Sequence, residues 1–328
     1  MPSQITAIED MTDASWKMLQ ASQEEYVAAL LRQYEDFQSR VVADILRIHI
    51  EASTGGIPSY DSFIQAQGHI RTVEVLRREL ERLNHSTNAL LDSSLIQQYK
   101  DAYNHSAWAL DETTPPNIDI NYAMPSEQAI RQFVAEPWNG AIFSQRIGAI
   151  NNFMAQDIQQ AVTQAMLSGD SVPDLAKRIS GVIGDADSDY MYRAKMIART
   201  ELSRASNLAH VSLYEQNDDL IEDWYWVTRS LASPRLCDDC RERAGLSYSE
   251  VEELADEQDL EVDPPAHVNC FCMWMARPKK FKDIMPPEIT ARMSPEQLAK
   301  LDEPWYMPPG SKMDYSEWSS KYLQGNER

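Results

Sequence analysis

Between Glu24 and Ile50 the apolar residues Val27, Leu31, Tyr34, Phe37, Val41, Ile45 and Ile48 recur every three or four positions, with Glu, Gln and Arg between them. That period draws one apolar stripe along a helix. A stripe this long needs a covering partner, so the chain must build a helical hairpin or bundle around it. Gly55, Gly56 and Pro58 end the run, and Ser59 or Asp61 can cap the next helix. A second stripe passes through Val73, Leu76, Leu80 and Leu83. It is interrupted at Asn84-His85-Ser86 and resumes with Leu91, Leu95, Tyr99 and Tyr103. Together these define a helical bundle or hairpin over 1–112.

Residues 113–126 form a linker, because Pro115, Pro116 and Pro125 break helices and nothing there is periodic. Helical signal returns over 127–219. Ile147, Ile150, Met154, Ile158, Ala161 and Ala165 line one helix, which Gly169-Asp170-Ser171 closes, and Pro173 fits the first turn of the next. At Asp223 the pattern changes: Trp224, Tyr225, Trp226, Val227 and Thr228 are all strong strand formers. A small α+β unit is expected over 220–277, with a proline-rich extended tail over 278–328. The fold class is mainly α, with a small α+β, zinc-knuckle-like unit toward the C-terminus.

Composition narrows the function. At 43% hydrophobic and 25% charged residues the chain reads as globular, and its net charge is −21. Strong binding to nucleic acid or to an anionic membrane needs clustered cations. The one basic run, Arg277-Pro278-Lys279-Lys280-Phe281-Lys282, is too short for that. No apolar stretch is long enough for a membrane span. The opening residues lack the basic and apolar regions of a secretion signal, so a reducing cytosol is the expected setting. There, cysteines point to a metal or to redox chemistry more than to disulfides.

All four cysteines fall within one stretch of 36 residues. Cys237-Asp238-Asp239-Cys240 is separated by a gap of 26 residues from His267-Val268-Asn269-Cys270-Phe271-Cys272. Two thiolates two residues apart can face one ion, and a second pair closes a tetrahedral shell around Zn2+. Five donors compete for four places. Cys237, Cys240, His267 and Cys270 are the preferred set, with Cys272 as the alternative fourth ligand. A reduced buried cluster or one or two disulfides are the other readings of the same spacing. The intervening Ser249–Asp263 stretch carries eight acids and no base, which reads as a solvated helix face. Arg199 and Glu201 form the one other chemical candidate, for a metal-dependent enzyme or toxin-like domain using them or a zinc-bound water. Two positions apart on a helix, however, they point away from each other. The histidines show no HExxH spacing, and no GxSxG is present.

The ordered set Ile197-Ala198-Arg199-Thr200-Glu201, Ala205, Asn207, the strand at Trp224–Thr228, Cys237-x2-Cys240, Ala244-Gly245 and Pro264-Pro265-x-His267-x-Asn269-Cys270-x-Cys272 resembles the Mu F-type phage head morphogenesis proteins. Where that family usually has a basic residue between its last two cysteines, Phe271 stands here. The resemblance implies a minor capsid protein of the virion, associated with the portal protein and with scaffold or major capsid protein as further partners. It implies a role in head assembly or DNA exit at the head interior or portal vertex, and no attached catalytic activity.

Overall fold

The computed structural model describes residues 4–54, 57–58, 60–65, 67–114, 118–138, 140–184, 189–228, 236–258, 261–302 and 313–323. Gly55, Gly56 and Ser59 of the expected helix end, Pro115 and Pro116 of the expected linker, and 303–312 of the expected tail lie outside the described residues. The chain is mainly helical. Helix α1 (Gln4–Glu51) leads to a two-residue strand pair, β1 (Ser53–Thr54) with β2 (Ile57–Pro58), and to short α2 (Tyr60–Gln65). Then come α3 (Gly68–Thr113), α4 (Glu127–Val134), α5 (Phe143–Ser168), α6 (Val172–Ile183) and α7 (Asp189–Gln216). The C-terminal part holds β3 (Ile221–Val227), α8 (Asp238–Arg243), α9 (Tyr248–Gln258), β4 (Met273–Pro278) and four short helices. The helix boundaries obey local chemistry. Gly169 adopts φ +69 to end α5, and Ser171 caps α6 by accepting from the Asp174 amide. Two compact units result: Met1–Ser22 with Leu95–Val134 and Leu202–Arg328, and Gln23–Ser94 with Ala135–Glu201.

In the second of these units, the buried stripe of α1 runs Val27, Leu30, Tyr34, Phe37, Val41, Ile45, Ile48. Leu30 rather than Leu31 belongs to it: both fit the three-and-four spacing between Val27 and Tyr34, but Leu30 is fully buried and Leu31 only half-buried. On α3 the buried side chains up to Leu91 are Thr72, Val75, Leu76, Glu79, Leu83, Thr87 and Leu91, while Val73 is exposed and Leu80 half-buried. Glu79 takes the place expected for an apolar residue because three arginines surround its carboxylate: Arg40 at 2.7 Å, Arg78 at 2.9 Å and Arg82 at 3.2 Å. The Asn84-His85-Ser86 interruption is not a break, and α3 runs straight through it. Its polar groups bond across helices instead. The Asn151 amide donates to Asn84 Oδ1 at 2.6 Å, Tyr34 donates its hydroxyl to Asn151 Oδ1 at 2.7 Å, and Ser86 donates to Gln33 Oε1 at 3.0 Å.

In the other unit, the segment expected as an extended tail holds four short helices among its described residues: Phe281–Ile284, Pro287–Thr290, Pro295–Asp302 and Tyr315–Tyr322. Proline suits a first helical turn, where no amide partner is lost, and Pro287 and Pro295 open their helices in that way. The last of these helices, capped by Asp314, buries Trp318 and bonds it to Asp111 Oδ2 at 2.7 Å. Tyr315 lies 5.1 Å from the ring of His105, which is buried and 3.0 Å from the Ser15 hydroxyl. His210 is likewise buried, 2.6 Å from Ser106. Burial pushes His105 down to about 4 and, with His105 nearby as a second cause, His210 down to about 3.

These contacts can be tested one at a time. Asn151→Ala leaves the buried Tyr34 hydroxyl without its acceptor, and should cost about 2–3 kcal/mol in urea unfolding. A double-mutant cycle with Tyr34→Phe should then show about 1 kcal/mol of coupling, and strict additivity would mean that the pair contributes nothing as a pair. The histidines give a pH dependence. Folded His105 stays neutral while the unfolded chain takes up a proton near pH 6.5, so its contribution is complete above about 6.5 and is lost as pH falls toward 4. Between pH 7.5 and 5.0 that amounts to roughly 2 kcal/mol. His105→Phe should lose correspondingly less stability over the same interval, measured by urea midpoints, and an equal loss in both proteins would contradict it.

Candidate metal centre

The site starts with a strand pair. β3 and β4 run antiparallel in a register that sets Trp226 opposite Trp274, both fully buried, edge to face with centroids 5.3 Å apart. The expected strand at Trp224–Thr228 is β3, which begins at Ile221. All five donors lie in the chain between these two tryptophans. The far side of Trp226 is held by the Ala244-Gly245 turn. Trp226 donates its amide to the Leu246 carbonyl, and the Gly245 amide donates to the Trp226 carbonyl, both at 2.8 Å. Gly245 adopts φ +86, a conformation that side chains disfavour, which accounts for a glycine there.

Each donor pair has its own local support. Cys237 is the N-cap of α8, and its sulfur accepts from the Cys240 amide at 3.3 Å. The first turn of that helix therefore faces both sulfurs inward and supplies an N–H to one of them. On the other side, the Cys270 amide donates to the His267 carbonyl at 3.1 Å, closing a turn in which Asn269 takes φ +63. Asparagine tolerates that region better than most side chains. The turn folds His267 and Cys270 back toward one point. Arg243 braces the surround: it is buried, lies over the Trp226 ring at 5.1 Å, and donates to the Glu261 carbonyl at 2.7 Å. The Trp274 indole donates to Asp263 at 2.8 Å. Of the acidic stretch, Glu250, Glu252 and Glu253 lie on the exposed face of α9. Ser247 and Glu250 cap it reciprocally, and Val251 and Ala255 are its buried side.

The donors form two triads that share Cys240: Cys237, Cys240 and His267, and Cys240, Cys270 and Cys272, the atoms of each within 4.8 Å of one another. His267 Nε2 lies 3.1 Å from both Cys237 Sγ and Cys240 Sγ, and Cys240 Sγ is 3.7 Å from Cys270 Sγ. Tetrahedral Zn–S bonds of about 2.3 Å place two sulfurs about 3.8 Å apart, so the sulfur spacing fits. The imidazole fits as well. Its Nδ1 is 2.9 Å from the Val268 carbonyl, which can only accept, so Nδ1 keeps a proton and Nε2, facing the sulfurs, is the nitrogen that would give its lone pair to a metal once deprotonated. Protonation is set by crowding. Hydrogen bonds from Cys240 and Cys272 hold the Cys270 thiol well below its usual range, while the Cys240 and Cys272 thiols are pushed up. His267 is pushed up to about 9, chiefly by its hydrogen bond with Cys270. The cluster could hold a metal ion, whose positive charge would take the place of these shared protons.

The other candidate pair, Arg199 and Glu201, lies on α7. Glu201 is buried beside Arg146 at 3.5 Å, and Arg146 lies over the Trp138 ring and donates to the Trp138 carbonyl. Arg199 is half-buried, and its carbonyl accepts from Gln23. In the basic run, Arg277 faces Glu222 at 3.4 Å and Lys279 donates to the Asp218 carbonyl at 2.9 Å. Among the described helices none is long and apolar enough to cross a membrane. Arg243, Asp263 and Trp274 carry no spacing signal in the sequence, since each acts through a partner distant in the chain.

Residues 156–275 match the family described as Phage Mu protein F like protein. No curated protein and no solved structure matches the chain. The matched region runs from within α5 into β4 and takes in Arg199, Glu201, Asn207 and all five donors. The segment from 156 to 275 is thus similar to the Mu F-like family, and the whole cysteine–histidine cluster lies within the matched region.

Proposed function

We propose that this protein is a head-morphogenesis component of a tailed phage, a structural element of the virion rather than an enzyme. On this reading it docks to the portal protein, with scaffold or major capsid protein as further neighbours, and acts in head assembly or DNA exit at the portal vertex or head interior. The Mu F-like match over 156–275 is the observation that carries it. The net charge of −21 supports a protein partner over nucleic acid, and so does the engagement of Arg277 and Lys279 by their own neighbours. The metal centre then has a structural role. Cys237, Cys240, His267 and Cys270 hold one Zn2+, Cys272 being the alternative fourth ligand, and the ion fixes the 220–277 unit as a rigid element. Zinc bound by four protein donors leaves no open position for a reacting water.

Two experiments test this. Co-sedimentation with the cognate portal at physiological salt should recover the protein, and a gel shift with duplex DNA under the same conditions should show no complex. Sub-micromolar DNA binding without portal association would reverse the ranking. For the metal, protein purified without added zinc should carry about one Zn2+ per chain by elemental analysis. Cys237→Ser with Cys240→Ser should abolish that content and expose 220–277 to limited proteolysis while most helical signal persists. Structural zinc contributes on the order of 10 kcal/mol in small isolated sites, so the loss should be plain. Wild-type protein free of zinc, or a double variant as resistant as wild type, would count against a structural ion.

A further inference from the structure

The donor-bearing segment His267–Cys272 has no regular secondary structure, and beyond the Cys270–His267 turn bond its backbone groups must find partners elsewhere. Two side chains supply them. The Trp16 indole on α1 donates to the Phe271 carbonyl at 3.1 Å. Asn207 on α7, itself buried, donates from Nδ2 to the Cys272 carbonyl at 3.2 Å and accepts at Oδ1 from the Trp274 amide at 3.0 Å. With one donor and one acceptor in a plane, the carboxamide does for Cys272 and Trp274 what a neighbouring strand would do. Its orientation is fixed by a third bond, from Nδ2 to the Ser203 carbonyl at 2.9 Å. A flipped amide would set its oxygen against two carbonyls.

We propose that Asn207 and Trp16 are positioning residues of the metal centre, holding the Cys270–Cys272 segment by its backbone and so setting where its sulfurs stand. The inference rests on the metal-binding reading of the cluster. The geometry favours it over plain packing because every one of these contacts to the segment is to the main chain within three residues of Cys270 or Cys272, and none is to a donor atom. The Cys237–Cys240 half is organised separately by its own helix cap, so loosening Asn207 or Trp16 should disturb one half of the donor set and spare the other. No other side chain type at 207 offers both contacts. Aspartate keeps the acceptor and loses the donor, alanine loses both, and glutamine displaces the amide by a methylene.

The test uses the full-length chain, with Zn2+ affinity measured by chelator competition and Co2+ substitution reporting thiolate ligation through its sulfur-to-metal charge-transfer band. Asn207→Asp and Asn207→Ala should each weaken Zn2+ binding roughly 10- to 100-fold, the range for supporting contacts around a metal, and should lower the charge-transfer intensity. Trp16→Phe, which keeps the ring and removes only the N–H donor, should weaken binding by about 10-fold with helical signal unchanged. It keeps the question open to measurement if the Asn207 variants fail to fold. Wild-type affinity and an unaltered cobalt spectrum in both Asn207→Asp and Trp16→Phe would overturn the assignment. Failure of the wild-type chain itself to bind either ion would instead overturn the metal reading, and this inference with it.

Discussion

The pairing of Trp226 with Trp274 is the clasp on which the C-terminal structure depends. It closes the chain into a loop that contains every candidate ligand, and it does so with two fully buried indoles whose contact needs no ion. Closing a long loop costs entropy that grows only slowly with length. Once the strands have met that cost, bringing Cys240 up to Cys270 requires only local turns. The cap at Cys237 and the positive-φ turn at Asn269 provide them. An ion held there would be the last element added to a geometry whose strands and turns are set by hydrogen bonds and aromatic packing.

Elsewhere the fold relies on polar groups buried in matched pairs. Apolar stripes alone tolerate sliding of one helix past another, because one leucine contact is much like the next. A buried carboxylate that must meet Arg40, or an asparagine that must meet both Asn84 and Tyr34, fits in one alignment only. Left unpaired, each of these groups would cost more than its pairing gains. Selection of one helix register is the natural reading of such positions.

How much of this the sequence discloses depends on how far each signal reaches along the chain. The long helices are legible because a three-and-four period repeats within a few turns, and the strand at Trp224 because its residues share one preference. The candidate donors are legible because metal-binding clusters of cysteine and histidine favour short spacings. Glu79 escapes the stripe because an acid at a buried position makes sense only with Arg40 from another helix. The helices beyond Pro286 are hidden because proline marks a helix start as readily as a break. Asn207 and Trp16 bond to residues 65 and 255 positions away, a distance over which no local pattern extends. His105 and His210 look scattered for the same reason, since their serine partners lie 90 and 104 positions off.

The charge left at the surface has a kinetic consequence. Arg204 donates to the Val134 and Phe133 carbonyls and Arg243 to that of Glu261, and both are almost wholly buried. These cations serve the interior and are withheld from the surface that an approaching molecule meets. Among the described residues the acids Glu79, Glu112 and Glu201 are buried as well, so the exposed charge stays close to the formal −21. Encounters with cationic surfaces are accelerated and encounters with like-charged ones are slowed, including those between two copies of this chain. That steering acts over about 8 Å at physiological ionic strength, so added salt should change how fast partners find this surface more than how firmly they stay.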